Sequence, residues 1–258
     1  MTESYSGANM SAPKIRQATL ADKDAIFQVH YQALMQHHEF YGALFKTHPR
    51  ELLPMLTERA LKNPTFVYLA AELEGSIVGF IRYSIVEAQD PDAAETKAED
   101  KNIAQEKDNQ KPPRPPLISP KDHLNEIWDR FNKRDEEMDA CKQEAVKGQR
   151  HYYIWHLMIH PDYQRKGIGA KLLQAVTEKA DADGLPTLIV SSEMSHGLYL
   201  KAGFEELGVW TIDTEYWAQE IVQRNMSLGI KEDEDLARQF EGVKEVEGCL
   251  IRRPRNRG

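Results

Sequence analysis

A chain of 258 residues holds one large domain or two small ones, and 41% apolar residues with four Trp and ten Tyr supply ample material for a core. A formal charge of −8 argues against nucleic acid as a general partner, and no run of about 18 apolar residues marks a membrane span. The first ten residues lack the basic-then-apolar order of a secretory signal, and the two cysteines, Cys141 and Cys249, read as plain buried or half-buried thiols in a reducing compartment, so the cytoplasm, or else the nucleus, is the expected location.

Residues 1–12 are expected as a disordered N-terminus, and 13–258 as a single domain. Ile15 to Ala18 reads as a short strand. Thr19 is placed to cap a helix with Asp22 in its first turn, and Ile26, Val29, His30, Ala33 and Leu34 recur at 3.6-residue spacing to give it one buried stripe. His30 on that stripe reads as a packed core residue. His37, His38, Phe40, Tyr41 and Phe45 form an aromatic segment broken by Pro49 and Pro54. Phe66 to Ala71 and Ile77 to Val86 are β-branched and aromatic runs around Glu74-Gly75, the pattern of an antiparallel hairpin.

Residues 87–120 change character, with no aromatic residue, six prolines, eight acidic and five basic side chains. This composition cannot bury enough apolar surface to offset chain entropy, so the stretch reads as a disordered or extended insertion. Its Pro-Pro-Arg-Pro-Pro run at 112–116 is either plain linker or a docking strip for a proline-recognising partner. Leu124, Ile127, Trp128, Phe131 and Met138 then recur at helical spacing, so a helix within 121–148 returns the chain to the same domain.

Tyr152 to Ile159 is an apolar strand that runs through a loop with Pro161 into Gly167 and Gly169, after which Lys171 to Ala182 reads as a helix with Leu172, Leu173, Val176 and Ala180 on its apolar side. The two glycines let the backbone turn tightly and approach a ligand without a Cβ, while the first N–H groups of the helix have no intrahelical acceptor. An anion suits that place, helped by the helix dipole and by Arg165, Lys166 and Lys171. A dinucleotide fingerprint needs a third Gly where Leu172 stands, and a P-loop needs Gly-Lys-Ser/Thr, so spacing excludes both. Leu188 to Val190 forms a second central strand, Ser195 to Ala202 a short helix stopped by Gly203, and Phe204 to Val209 is again extended. The tail carries Tyr216, Trp217, Ile221 and Val222, an acidic run from Lys231 to Asp235, and a last strand at Val246 to Ile251.

Gln164, Gly167 and Gly169, followed at the expected distance by Leu198-Tyr199-Leu200-Lys201-Ala202-Gly203-Phe204, resemble the two signatures of the GNAT superfamily of acyl-CoA-dependent N-acyltransferases, with fungal-type members as the expected kin. The resemblance covers residues 13 to about 209, and its specific motifs occupy 157–204. It implies an α/β fold with a mixed, mostly antiparallel sheet of about six to seven strands flanked by helices. In that fold two central parallel strands, here ending near Ile159 and Val190, splay apart and pair with the pantetheine arm like an added strand. The implied donor is acetyl-CoA or another acyl-CoA. Leu157, Met158 and Ile159 would border the arm, with Gln164, Arg165, Lys166, Gly167, Ile168, Gly169 and Ala170 around the diphosphate and Ser192, Ser195 and Tyr199 as further contacts. Many members carry an Asn seven residues before the tyrosine; here Ser192 stands there, so a hydroxyl of Ser192 or Ser195 substitutes or that contact is absent.

The implied reaction moves an acetyl or other short acyl group to an amine by direct attack, with Tyr199 as the acid that protonates the leaving thiolate. Glu193 and His156 are the candidate bases; His156 is either a base or a satisfied core histidine, and Glu193 either a base or a surface residue. Strand alternation places Tyr153, Trp155 and Leu157 on one face and Ile154, His156 and Met158 on the other. His156 and His160, four residues apart on a strand, are separated by about 13 Å, so no metal is implied. The expected acceptor is a small-molecule amine or a peptide, bordered by the His37 to Phe45 segment, with no nucleic acid and no membrane partner and with monomer or homodimer both open. The alternative is a catalytically silent acyl-CoA-binding or interaction module.

Overall fold

A computed structural model describes residues 12–88 and 118–255. The expected N-terminal tail, save its last residue, and the Pro-Pro-Arg-Pro-Pro run lie outside the described residues.

The chain opens with β1 (Lys14–Gln17) and α1 (Lys23–Ala33). Between them the Thr19 amide donates to the Asp22 carboxylate at 2.7 Å, and Arg16 grips both Asp22 (2.8 Å) and Glu72 (2.7 Å), tying the first strand to the start of the helix and to its neighbour strand. Next come α2 (Met35–Leu44) and α3 (Pro49–Lys62). Pro49 sits at the first position of α3, where its missing N–H is harmless. Pro54 does not break the chain as expected: it lies inside α3, which the burial of Leu53, Thr57 and Ala60 along one side carries through the lost hydrogen bond.

The hairpin is β2 (Val67–Leu73) and β3 (Ser76–Val86), with Glu74 (φ 51°) and Gly75 (φ 81°) both left-handed at the turn, which suits the twist of the paired strands. After the insertion, Pro120 bridges Phe45 and the Lys121 amide donates to the Leu44 carbonyl at 2.8 Å, so the chain re-enters beside α2 before forming α4 (Asn125–Val146). The remaining elements are β4 (His151–Ile159), α5 (Ile168–Ala182), β5 (Thr187–Ser192), α6 (Glu193–Lys201), β6 (Glu205–Asp213), α7 (Thr214–Ser227), α8 (Leu236–Gln239) and β7 (Lys244–Arg252). The helix after the glycines begins at Ile168 rather than at the expected Lys171, because left-handed Gly167 (φ 77°) already serves as its N-cap.

The seven strands lie in the order β1-β2-β3-β4-β5-β7-β6, and every neighbouring pair is antiparallel except β4 with β5. This is a mixed, mostly antiparallel sheet flanked by helices. On one face α5 lays Leu172, Leu173, Val176 and Ala180 against Ile81, Ile154, Ile189 and Leu250, all fully buried. Each such large side chain contributes about 1.5–3 kcal/mol by leaving water. On the other face α1 packs Ile26 and Val29 on Tyr68 and Phe80, and α4 covers Leu188, Cys249 and Ile251 with Val146. A second core of Phe40, Leu44, Phe131, Ile221 and Phe240 joins α2, α4, α7 and α8. Among the described residues no helix is long and apolar enough to cross a membrane.

Candidate active site

The parallel pair is short. Only Tyr152, Tyr153 and Ile154 of β4 register with Thr187, Leu188 and Ile189 of β5. Beyond them β5 continues paired with β7, Val190 to Cys249 and Ser192 to Glu247, while β4 from Trp155 to Ile159 keeps only its β3 neighbour. The two strands therefore part, and their burial records it: Tyr152 and Ile154 are buried, whereas Trp155 is exposed and His156, Leu157, Met158 and Ile159 are half-buried. Backbone groups on the parted side of β4 are free to accept an extended ligand as an extra strand.

A bulge sits where the strands part. Arg82 pairs with His156 and Tyr83 with Ile154, so Trp155 is an extra residue on β4. This corrects the simple alternation expected from sequence. The bulge shifts the phase, so Ile154 and Leu157 both face the α5 core, while His156 lies against His30 of α1 and Met158 packs with Ile26 and Phe80 on the opposite face.

At the far end of β4 the chain turns into the N-terminus of α5. Arg165 (φ 59°) and Gly167 (φ 77°) are left-handed, the kind of backbone from which anion-binding concavities are made. The first helical hydrogen bond after the cap runs from the Lys171 amide to the Gly167 carbonyl, which leaves the N–H groups of Ile168, Gly169 and Ala170 ahead of it as the orphan donors of the helix. A Cβ at Gly167 would meet nothing within 4 Å, and one at Gly169 would meet Leu198 at 3.4 Å, so the corner is open rather than plugged by side chains. These residues fit a phosphate-bearing group. Gln164 turns inward: its Nε2 donates to the Ile159 carbonyl at 3.2 Å and ties the loop to the strand end. Lys166 donates to the Asp162 carbonyl and lies 5.0 Å from the Tyr163 ring centre, which holds its charge over the loop, and the Arg165 side chain is exposed.

Ser192 ends β5 and caps α6, with its Oγ 3.2 Å from that of Ser195. Glu193 follows in the first turn of α6 and is exposed. Tyr199, one turn and a half further on, is 2% exposed and meets Phe204 edge-on at 5.5 Å between ring centres. Burial raises its phenol well above the ordinary tyrosine value, so the hydroxyl is a proton donor at neutral pH. His156 is pushed the other way, well below the ordinary imidazole value, first by burial and then by His30 and Arg82. It is a neutral acceptor at pH 7. Glu193 and His156 thus lie on different elements, one at the helix start and one under α1.

Several residues near the parting were missed in the sequence. A cavity of about 290 Å³ opens there on the face opposite α5, lined by Tyr153, Val190 and Glu247 of the sheet and by Met138, Asp139 and Lys142 of α4. The helix that closes the insertion is thus a wall of the site. Arg82, one strand over from His156, lies 4.8, 5.6 and 5.9 Å from the ring centres of Phe66, Trp155 and Tyr68. A lone charge in the otherwise apolar run of β3 was the signal for it. The aromatic segment of α2, by contrast, is spent mainly on packing: Phe40 and Phe45 are buried among Phe131, Trp128 and Phe240, and only the histidine side of the helix reaches His30 and Glu245.

The Acetyltransferase (GNAT) family model matches residues 126–204, the stretch that holds the parting strand, the glycine corner and the α6 tyrosine. No curated protein sequence matches the chain. Among solved structures, the chain is similar to the histone acetyltransferase HPA2 and related acetyltransferase from Corynebacterium glutamicum, at 14% identity over 95% of this chain and 98% of that one with a TM-score of 0.50, a likeness of fold. It is also similar to a paia N-acetyltransferase from Thermoplasma acidophilum in complex with coenzyme A, at 11% identity over 94% and 99% of the two chains with a TM-score of 0.44. The likeness to the GNAT acetyltransferases in sequence thus covers residues 126–204, under a third of the chain.

Proposed function

We propose that the protein transfers an acetyl or other short acyl group from CoA to an amine by direct attack in a ternary complex, within one domain acting in the cytosol or nucleus. The observation that carries this reading is the parting of β4 from β5 after three paired residues, on a strand that leads straight into the bare N–H groups of α5. Bound acyl-CoA would supply the activated thioester. Backbone of Leu157, Met158 and Ile159 takes the pantetheine arm, the Gln164 to Ala170 turn takes the diphosphate, and the Ser192 and Ser195 hydroxyls stand at the near edge of α6.

An ammonium with the reference lysine pKa of about 10.4 loses its proton at pH 7 at a cost of about 4.6 kcal/mol. His156, whose charged form is disfavoured by burial and by Arg82, can only relay that proton onward to water, and exposed Glu193 in the first turn of α6 is the other candidate base. The amine nitrogen then bonds to the acyl carbon, whose developing oxyanion is held by a backbone N–H of the parted β4. The C–S bond breaks, the sulfur leaves with the proton of Tyr199, and the second amine proton restores the tyrosine. Incubation with acetyl-CoA and a panel of amines, polyamines, amino acids and peptides tests this through thiol release. Release that Tyr199→Phe abolishes is the expected result; acetyl-CoA binding with no release from any acceptor would instead mark a silent acyl-CoA-binding module.

A further inference from the structure

Among the described residues Arg82 is a cation without an anion: its Nη1 reaches only the Tyr68 hydroxyl there, at 3.4 Å, its buried Nε has no hydrogen-bond partner among them, and none of their carboxylates pairs with it. Phe66, Trp155 and Tyr68 cage it, and the histidines nearest to it are held neutral. A half-buried guanidinium with an orphan N–H is expensive to keep, and three aromatic rings offset only part of that loss. Its position explains its retention. Arg82 is the registered cross-strand neighbour of His156, on the same face, and Trp155 of the bulge stands exposed between it and the Tyr153 edge of the cavity, with Tyr153 and Trp155 ring centres 4.6 Å apart. Paired residues on adjacent strands are separated by about 5 Å, so the Arg82 and His156 side chains can both reach the polar groups of one small ligand, the attacking amine at one and a carboxylate on the neighbouring carbon at the other.

Resting on the acyl-transfer reading above, we infer that Arg82 is a carboxylate-binding residue of the acceptor site, so that the acceptor is an amine bearing a carboxylate beside its nitrogen, in the simplest case a free α-amino acid. The guanidinium presents a planar fork to that carboxylate and gains its missing acceptor, while the amine is left over His156 and the thioester. A substrate without the carboxylate brings a second positive charge next to Arg82 and leaves the orphan donor unpaired, so discrimination against it is strong.

The test uses the full chain with acetyl-CoA and matched probes: leucine against isopentylamine, and phenylalanine against phenethylamine. Thiol release with a kcat/KM about 10- to 100-fold higher for the amino acids is the expected result. Arg82→Met should remove that preference through KM, and Arg82→Lys, which keeps charge and ring stacking but lacks the fork, should retain only part of it. Both variants should keep the acetyl-CoA affinity and melting temperature of the parent. Equal use of the decarboxylated amines, or a preference that survives Arg82→Met, overturns the proposal. A binding measurement separates it from the reaction itself: with CoA present, leucine should shift the Arg82 Nε–H resonance, identified by its loss in Arg82→Lys. A shift without thiol release supports the carboxylate site and sinks the acyl-transfer reading; acetyl-CoA binding with no shift overturns the carboxylate site.

Discussion

The imidazoles of His156 and His30 lie 4.6 Å apart between ring centres, and His38 continues the group at 5.4 Å from His30. Burial, reinforced by the other histidines and by Arg82, pushes His30 down to about 3, and burial with His37 and His48 nearby pushes His38 to about 4, with Glu39 pulling the other way. In the unfolded chain each titrates near 6.5. Between those values the unfolded state binds protons that the folded state refuses, so stability falls as pH is lowered, by up to about 1.4 kcal/mol per pH unit for each group. Thermal unfolding should therefore show a melting temperature that drops steeply from pH 6.5 to pH 4.5. Replacing His30 by Phe should flatten the slope by about one proton; an unchanged slope would mean that the cluster titrates as it does in water.

Tyr199 is packed like a core residue yet carries a hydroxyl that faces Ser195, and burial keeps it protonated far into the alkaline range. Tyr199→Phe retains the ring and its edge contact with Phe204, so the fold should tolerate it. A general acid contributes about 100- to 10,000-fold, and a loss of that size in kcat, with acetyl-CoA affinity retained in calorimetry, is the expected outcome. Undiminished thiol release would reduce Tyr199 to a packing residue.

Much of this layout was legible because local rules wrote it. Thr19 at the first helical turn and the Glu74-Gly75 hairpin turn each need a particular residue at a particular place and stand where expected, and the glycine turn before α5 was legible too, though the helix that Gly167 caps begins three residues ahead of its expected start. The bulge at Trp155 was not legible, since nothing in Tyr-Tyr-Ile-Trp-His-Leu-Met-Ile announces an unpaired residue; it exists only through the register with β3. For the same reason Ile154 was wrongly grouped with His156 and Met158, and Leu157 with Tyr153, across the bulge. Glu247 stayed hidden because it lies 113 residues along the chain from Arg134, its partner on α4, and Arg82 because it meets His156 only across neighbouring strands, and neither relation leaves a periodic trace. Pro54 shows the converse, a strong local signal overruled by the burial of the helix around it.

The glycine corner offers a sharper test of the cofactor site. At Gly169 an added Cβ would make only ordinary contact with Leu198, so the helix should accept a side chain there. Gly169→Asp would nevertheless aim a carboxylate along the orphan N–H groups at the diphosphate, and like charges about 4 Å apart near a protein surface repel by about 4 kcal/mol. Acetyl-CoA affinity should fall by at least about 100-fold with little change in melting temperature, whereas Gly169→Ala should lose far less. Unchanged affinity for the aspartate variant would displace the diphosphate from this corner.

The α6 tyrosine depends on a clamp well away from the chemistry. Arg252 at the end of β7 holds the Asp181 carboxylate of α5 with two bonds of 2.7 Å, its Nε donates to the Ala202 carbonyl after α6, and the Arg255 amide donates to Asp181 at 2.8 Å. The pair is nearly dry, with side chains 4% and 13% exposed. Arg252 holds the Asp181 carboxyl below the usual carboxylate range, so the stability it contributes is present above the unfolded value near pH 3.9 and is lost as pH falls through the lower folded value. At neutral pH, Asp181→Leu strands a buried guanidinium and should lower unfolding free energy in urea by about 3–5 kcal/mol, while Asp181→Leu with Arg252→Met should recover most of that loss. Were the double variant as unstable as the single one, the clamp would owe its strength to the Ala202 and Arg255 bonds rather than to the ion pair, and α6 should then loosen in hydrogen exchange before α5 does.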